Sequence, residues 1–254
     1  VSGRLAIDEA AWASPWRTRP VAEKLLLALG LVACAVVLPP WPGVVLAGVC
    51  ALVALLMVAR VPARLLARSL RAPLAFIAIG SLTVLVTVQL DDGLSLAITE
   101  QSVYDAVVLA GRALAGTLGV YLLAATTPMG DLLASMRRIG VPAACVEVAS
   151  VTYRMVFTLL VSTRQIREAQ AARLGYSGYR RSVHSAGGLT AATLVRSWDR
   201  ARRLEEGLAG RGYDGTLPTL PRSQATSMPF VLLSAFVIVA VAGLGAWGGG
   251  QWGI

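Results

Sequence analysis

Leu25 to Ala59 runs without a single charged side chain, and few folds accept such a run. A helix needs about 20 apolar residues to cross roughly 30 Å of hydrocarbon, so this stretch has room for two crossings. Pro39-Pro40-Trp41-Pro42-Gly43 interrupts it, and the fixed φ of proline predicts a sharp turn between antiparallel helices near 24–38 and 44–59. Ala72 to Leu90 is a third uncharged run. Val103 to Thr127 is a fourth, carrying only Asp105 and Arg112, and a fifth covers about Pro229 to Trp247 inside a charge-free tail. With 56% apolar residues, 15% charged and a mean hydropathy of +0.67, the chain is too apolar for a soluble domain of its length. The expected fold class is all-α, a polytopic membrane helical bundle of about five spans.

Basic residues in the short loops set the orientation. Arg4, Arg17, Arg19 and Lys24 precede the first span; Arg60, Arg64, Arg68 and Arg71 lie between the second and third; Arg137 and Arg138 follow the fourth. The opposite loops hold the proline turn and the acidic Asp91, Asp92, Glu100 and Asp105. The N-terminus and the region 128–225 are therefore expected in the cytoplasm, and Ile254 outside. This divides the chain into a membrane bundle over 1–127, a cytoplasmic region over 128–225 and a last span over 226–254.

The cytoplasmic region is basic, with eleven Arg against five acidic residues between Arg164 and Arg222. Such a surplus fits positive-inside topology and contact with anionic lipid. A short amphipathic helix is expected over Met129 to Ile139, after Thr126-Thr127-Pro128. The segment 143–175 reads as one long helix that leaves the bundle for the cytoplasm, with a sixth crossing over 143–163 as the alternative. Tyr179 to Gly188 reads as a connection. Leu194, Trp198, Ala201, Leu204 and Leu208 then recur at steps of three and four, which predicts an amphipathic helix with that stripe packed on the other long helix. Both helices end in nearly the same phrase, Ala172-Arg173-Leu174-Gly175-Tyr176-Ser177-Gly178 and Gly210-Arg211-Gly212-Tyr213-Asp214-Gly215. A single copy is ordinary C-terminal capping, in which glycine supplies the left-handed residue and arginine favours the negative pole of the helix. Two copies suggest a pair of matched cationic tips for a paired receptor.

Several chemistries are missing. Lys24 is the only lysine, in Ala22-Glu23-Lys24-Leu25, so the chain holds no phosphate-binding loop ending in Gly-Lys-Ser/Thr. Cys34, Cys50 and Cys145 stand singly in apolar stretches and His184 is the only histidine, so no metal-ligand spacing and no Ser/His/Asp arrangement is expected. No catalytic residue, cofactor or resident metal is assigned, and the chain is not expected to be an enzyme. A stand-alone secondary transporter would need ionisable residues along a path, for which Arg112, Glu147 and Arg154 are the candidates. Gly111, Ala115 and Gly119, at steps of four, offer a close-packing face, for another helix of this chain or for a partner's.

These residues together resemble the transmembrane T component of energy-coupling factor importers, most closely the cobalt-transport CbiQ branch. The resemblance runs through Ile7-Asp8, Trp16-Arg17, Pro20, Glu23-Lys24, Thr126-Thr127-Pro128, Tyr153-Arg154, Ala169-Gln170 and Arg196-Ser197 as well as the two arginine phrases. It implies two long cytoplasmic coupling helices crossing as an X, each ending in an Ala-Arg-Gly-like triplet docked on one of two ATPase subunits. The matching triplets here are Ala172-Arg173-Leu174 and Gly210-Arg211-Gly212, which depart from the pattern at Leu174 and Gly210. The implied partners are two ATP-binding cassette subunits, a substrate-specific membrane subunit for cobalt or nickel, an optional small accessory membrane subunit, and lipid, with no nucleic acid. The implied location is the bacterial inner membrane. A T component for another micronutrient, such as biotin, is the alternative within the same family.

Overall fold

In the computed structural model, residues 6–89, 95–213 and 227–251 are described. Arg4, the acidic pair Asp91 and Asp92, the Asp214-Gly215 end of the second phrase, Arg222, the 225/226 division and Ile254 lie outside them. The helices are α1 (Ala6–Ala13), α2 (Val21–Val37), α3 (Val45–Val53), α4 (Ala63–Leu85), α5 (Glu100–Thr126), α6 (Met129–Met136), α7 (Ala143–Ala172), α8 (Tyr179–Ala209) and α9 (Met228–Gln251). One short antiparallel hairpin, β1 (Thr87–Gln89) with β2 (Ser95–Ala97), joins α4 to α5. The protein is an all-α, multi-pass membrane protein. It divides into two compact units, Ala6–Leu132 with Ser223–Ile254 and Val1–Leu5 with Leu133–Arg222.

The first unit is the bundle. α2 ends at the proline cluster, where Trp41 leaves helical geometry at φ −123° and ψ 128°, and the chain turns into α3, prolonged by one π turn to Val58. Leu31, Leu55, Leu122 and Ala125 lie at the centre, and Trp16 packs edge-on against Phe230 of α9 at 5.2 Å between ring centres. Backbones approach closely where glycine permits. A Cβ on Gly119 would come within 2.6 Å of Val32 Cγ2, and one on Gly248 within 2.5 Å of Pro42 Cδ. The Gly111, Ala115 and Gly119 face thus packs inside the chain, against α2 and α3. Phe76, Ile79 and Leu82 of α4 and Phe236 and Trp247 of α9 are exposed, which carries no penalty against lipid tails as apolar as they are.

Among the described residues five helical stretches are long and apolar enough to cross a membrane: Pro40–Val58, Ala63–Leu85, Glu100–Thr126, Ala143–Ala172 and Met228–Gly248. The number agrees with expectation and the membership does not. The first expected span, 24–38, lies on α2, which has 17 residues and is about 26 Å long. It sits at the short end of what can cross. Ala143–Ala172 qualifies instead. The expected third span, 72–90, is also displaced: α4 starts at Ala63, so Arg64, Arg68 and Arg71 ride on its first turns and not in a loop. Absence of charge marks the apolar part of a helix, whereas the helix itself runs on through arginine, a good helix former.

The second unit is built on α7 and α8, of 30 and 31 residues, about 45 Å each. α7 is the single long helix expected. The expected connection at Tyr179 to Gly188 is helical; only Arg173 to Gly178 joins the two helices. Glycine at 187 and 188 disfavours a helix by roughly 1 kcal/mol each, but packing against α7 overrides it, with Gln170 Nε2 donating to Ser185 O at 3.1 Å. The pair is antiparallel, tied by Thr163 to Thr193 (3.4 Å), Gln170 to Ser185, and Tyr213 Oη to Glu147 Oε1 (3.2 Å).

The expected packing stripe is not the contact face. Leu194 and Trp198 are 67% and 73% exposed, Ala201 is exposed, and only Leu204 and Leu208 are half-buried. Ser182, Ser185, Leu189, Thr193 and Ser197 are half-buried instead, and of these Ser185 and Thr193 bond to α7. One position along a helix is about 100° around it, so a stripe read one residue off points elsewhere. The Thr163–Thr193 hydroxyl contact and the Gln170 bond to the Ser185 carbonyl fix this face, and the larger Leu194 and Trp198 stay outside it.

Candidate functional site

The two arginine phrases fold into the same structure. At the end of α7, Arg173 N donates to Gln170 O, Leu174 N to Ala171 O and Gly175 N to Gln170 O, at 3.2, 2.9 and 2.9 Å. At the end of α8, Arg211 N donates to Leu208 O, Gly212 N to Ala209 O and Tyr213 N to Leu208 O, at 3.0, 3.1 and 3.1 Å. Each tip therefore closes with the same three bonds, the last two being those of a Schellman motif. The residue after each arginine is left-handed, Leu174 at φ 57° and Gly212 at φ 71°. A glycine in the third place of the triplet thus has a physical reason, and Leu174 departs from it at the expense of strain.

Arg173, Leu174, Gly210, Arg211 and Gly212 are all exposed, as is Ala172. Because the helices are antiparallel, the tip at Arg173 lies beside the start of α8 and the tip at Arg211 beside the start of α7. The tips are separated by about a helix length, so they present two docking points and not one composite patch.

The first tip is more than its arginine. Arg173, Leu174 and Gly175 share a hollow of about 420 Å³ with Arg180, Arg181, His184 and Ser185 from the first turns of α8. Ser185 Oγ donates to Gly175 O at 2.8 Å and Tyr176 Oη to Gln170 Oε1 at 2.8 Å, fixing the walls. Three guanidinium groups around one hollow suit a carboxylate-bearing surface, which Arg can grip bidentately. Sequence reading missed Arg180, Arg181 and His184 because it placed them in a loop. Their signal was the i, i+4 spacing of 180 with 184 and 181 with 185.

Two of the three candidates for a conduction path serve as local ties. Arg112 Nη2 donates to Leu38 O at 3.3 Å, closing the end of α2, and Glu147 accepts from Tyr213. Arg154 is exposed. Cys34 is buried, Cys50 half-buried and Cys145 exposed, all free thiols. Among the described residues no three His, Cys, Asp or Glu side chains are grouped to hold a metal ion.

Residues 13–221 match the family described as cobalt transport protein, CbiQ. A cobalt transport protein CbiQ of Rhodobacter capsulatus is 43% identical over 227 residues, covering 89% of this chain and 91% of that protein. A putative fused cobalt transport protein CbiMQ of Methanocorpusculum labreanum is 27% identical over 245 residues, which are 92% of this chain and 41% of the fused one. A cobalt transport protein CbiQ of Salmonella typhimurium is 27% identical over 205 residues, 75% of this chain and 90% of its own length.

Proposed function

This chain belongs to the CbiQ family of cobalt transport proteins, and on that premise we propose that it is the energy-coupling transmembrane subunit of an ATP-driven importer for cobalt, or for nickel. The two arginine tips dock on two partner ATPases in the cytoplasm of the bacterial inner membrane. α7 and α8, the crossed coupling helices of the resemblance, turn opening and closing of the ATPase pair into movement of the membrane bundle. A separate membrane subunit recognises the metal, which is cargo, and this chain spends no ligands on it. The relative named as a fused CbiMQ, of which this chain spans less than half, supports a second membrane subunit as partner.

One observation carries the reading: two exposed tips with the same hydrogen bonds, the same left-handed residue and the same arginine, at opposite ends of an antiparallel pair. A monomeric receptor has no use for the repetition, and two copies of one ATPase do. The stand-alone transporter reading has weaker support, because Arg112 and Glu147 are engaged locally. The deciding experiment is the Arg173→Glu/Arg211→Glu double variant, assayed for ATPase co-purification and ATP-driven cobalt(II) uptake. Losing one partner of a desolvated charge pair costs about 2–5 kcal/mol of binding, so both readouts should fall by a factor of tens or more while membrane insertion persists. Wild-type capture and uptake would return both phrases to the status of helix caps.

A further inference from the structure

Two adjacent charged residues near the start of α2 are almost wholly buried, Glu23 at 3% exposure and Lys24 at 1%. Burial of a charge is strongly unfavourable unless it is paired, and each of these is paired with a helix end. Lys24 Nζ donates to the Thr126 carbonyl at 2.9 Å, across 102 residues. That carbonyl is one of the unsatisfied acceptors at the end of α5, where a cation also favours the helix dipole. Glu23 Oε1 accepts the N–H of Ser227, ahead of α9, where an anion is favoured for the opposite reason. Its other oxygen lies 3.9 Å from the Arg19 guanidinium. Asp8 adds a weaker contact, its carboxylate 3.5 Å from the Met129 N–H that opens α6.

These helix ends have a special place in the chain. Past Leu132 the chain leaves this unit for α7 and α8, and at Ser223 it returns. Glu23 and Lys24 therefore tie α2 to the end of α5, two residues ahead of α6, and to the residue that precedes α9. We propose that they are a positioning pair that fixes both junctions to α2, so that displacement of the coupling helices moves α2, α5 and α9 together and is not lost as bending at the junctions. The proposal rests on the coupling reading above. Stability alone would be served as well by apolar side chains of similar volume, since exchanging a buried ion pair for such groups is often neutral or favourable. Hydrogen-bonded charges fix direction and distance, which a transmission joint needs.

The test uses the whole complex, with its ATPases and metal-binding subunit, reconstituted in liposomes and read for ATP hydrolysis and radiolabelled cobalt(II) uptake together. Lys24→Met removes the donor; hydrolysis should stay near wild type while cobalt taken up per ATP falls about tenfold, an ordinary size for a coupling free energy. Lys24→Arg, which keeps a donor and the charge, should restore most of it. Glu23→Gln keeps volume and an acceptor oxygen but weakens a charge-assisted bond, so the ratio should fall about threefold in a protein that folds normally. A wild-type ratio in Glu23→Gln overturns the proposal, and so does an equal fall of hydrolysis and uptake in Lys24→Met, which is what a merely structural role gives. Should Lys24→Met not accumulate, Glu23→Gln decides alone. Failure of the coupling reading looks different: the Arg173→Glu/Arg211→Glu variant then keeps ATPases and uptake, whereas here that variant loses both.

Discussion

Leu174 is the residue at which the two tips differ in chemistry while agreeing in shape. It holds φ 57°, where a side chain with a Cβ is disfavoured by roughly 1–2 kcal/mol, and the equivalent Gly212 at φ 71° bears no such strain. Leu174→Gly should therefore stabilise the second unit by up to about 1 kcal/mol, less the chain entropy that glycine loses on folding. Gly212→Ala should destabilise by about 1 kcal/mol, purely through the backbone, since a Cβ there meets nothing within 4 Å. Thermal unfolding in detergent checks both; a Gly212→Ala variant as stable as wild type would show that the second tip is not held in this conformation. The arginines themselves were legible in the sequence, because an arginine followed closely by Gly-Tyr recurs at two helix ends, as Arg173-Leu174-Gly175-Tyr176 and Arg211-Gly212-Tyr213. The left-handed Leu174 was not, since nothing in the letter announces a positive φ, and it became visible only through equivalence with Gly212.

At the scale of elements, the sequence predicted α2, α3, α5, α7 and α9 from runs without charge and from periodicity, and misplaced what depends on neighbours. The Leu194-Trp198 stripe has the correct period for a helix, yet α7 meets the adjoining face of α8 through Ser185 and Thr193, a choice settled by hydrogen bonds across the pair. Trp198→Ala is accordingly a surface change in this chain and should shift the unfolding temperature by an amount equivalent to less than about 0.5 kcal/mol, not the several expected of a buried tryptophan. The α7 to α8 connection is where stability is sensitive. A Cβ on Gly175 would lie 2.6 Å from Ser185 Oγ and 2.8 Å from Gln170 O, so Gly175→Ala should cost about 1–3 kcal/mol as an overpacked site. Gly187→Ala, inside α8 with open space around the new methyl, should instead stabilise by about 0.5–1 kcal/mol. A neutral Gly175→Ala, measured in the same thermal scan, would mean that the first tip is not anchored to α8.

For the whole molecule, the described residues offer six helices for the bilayer, the five that are long and apolar enough to cross, α7 among them, and α2, which falls just short in residues. Charge breaks the tie. If α2, α3, α4, α5 and α9 cross and α7 does not, the arginines of 4–24, 60–71, 137–138 and all of α8 fall on one side. If α7 crosses as well, the Arg173 tip faces the exterior and α8, antiparallel beside α7, is drawn into the bilayer with its arginines, against the positive-inside bias and at a heavy cost in buried charge. Glu147 and Arg154 add to the cost of inserting its apolar half, at about 2.5–3.5 kcal/mol for each charged residue placed at the centre of a span. The five-span arrangement with a cytoplasmic N-terminus is the expected outcome. It is checked with a single cysteine at Arg200→Cys, an exposed position on α8, in a background from which Cys34, Cys50 and Cys145 have been removed. A membrane-impermeant maleimide should label it only after the cells are opened. Labelling in intact cells would put α7 through the bilayer, and with it the Arg173 tip on the wrong side for ATP.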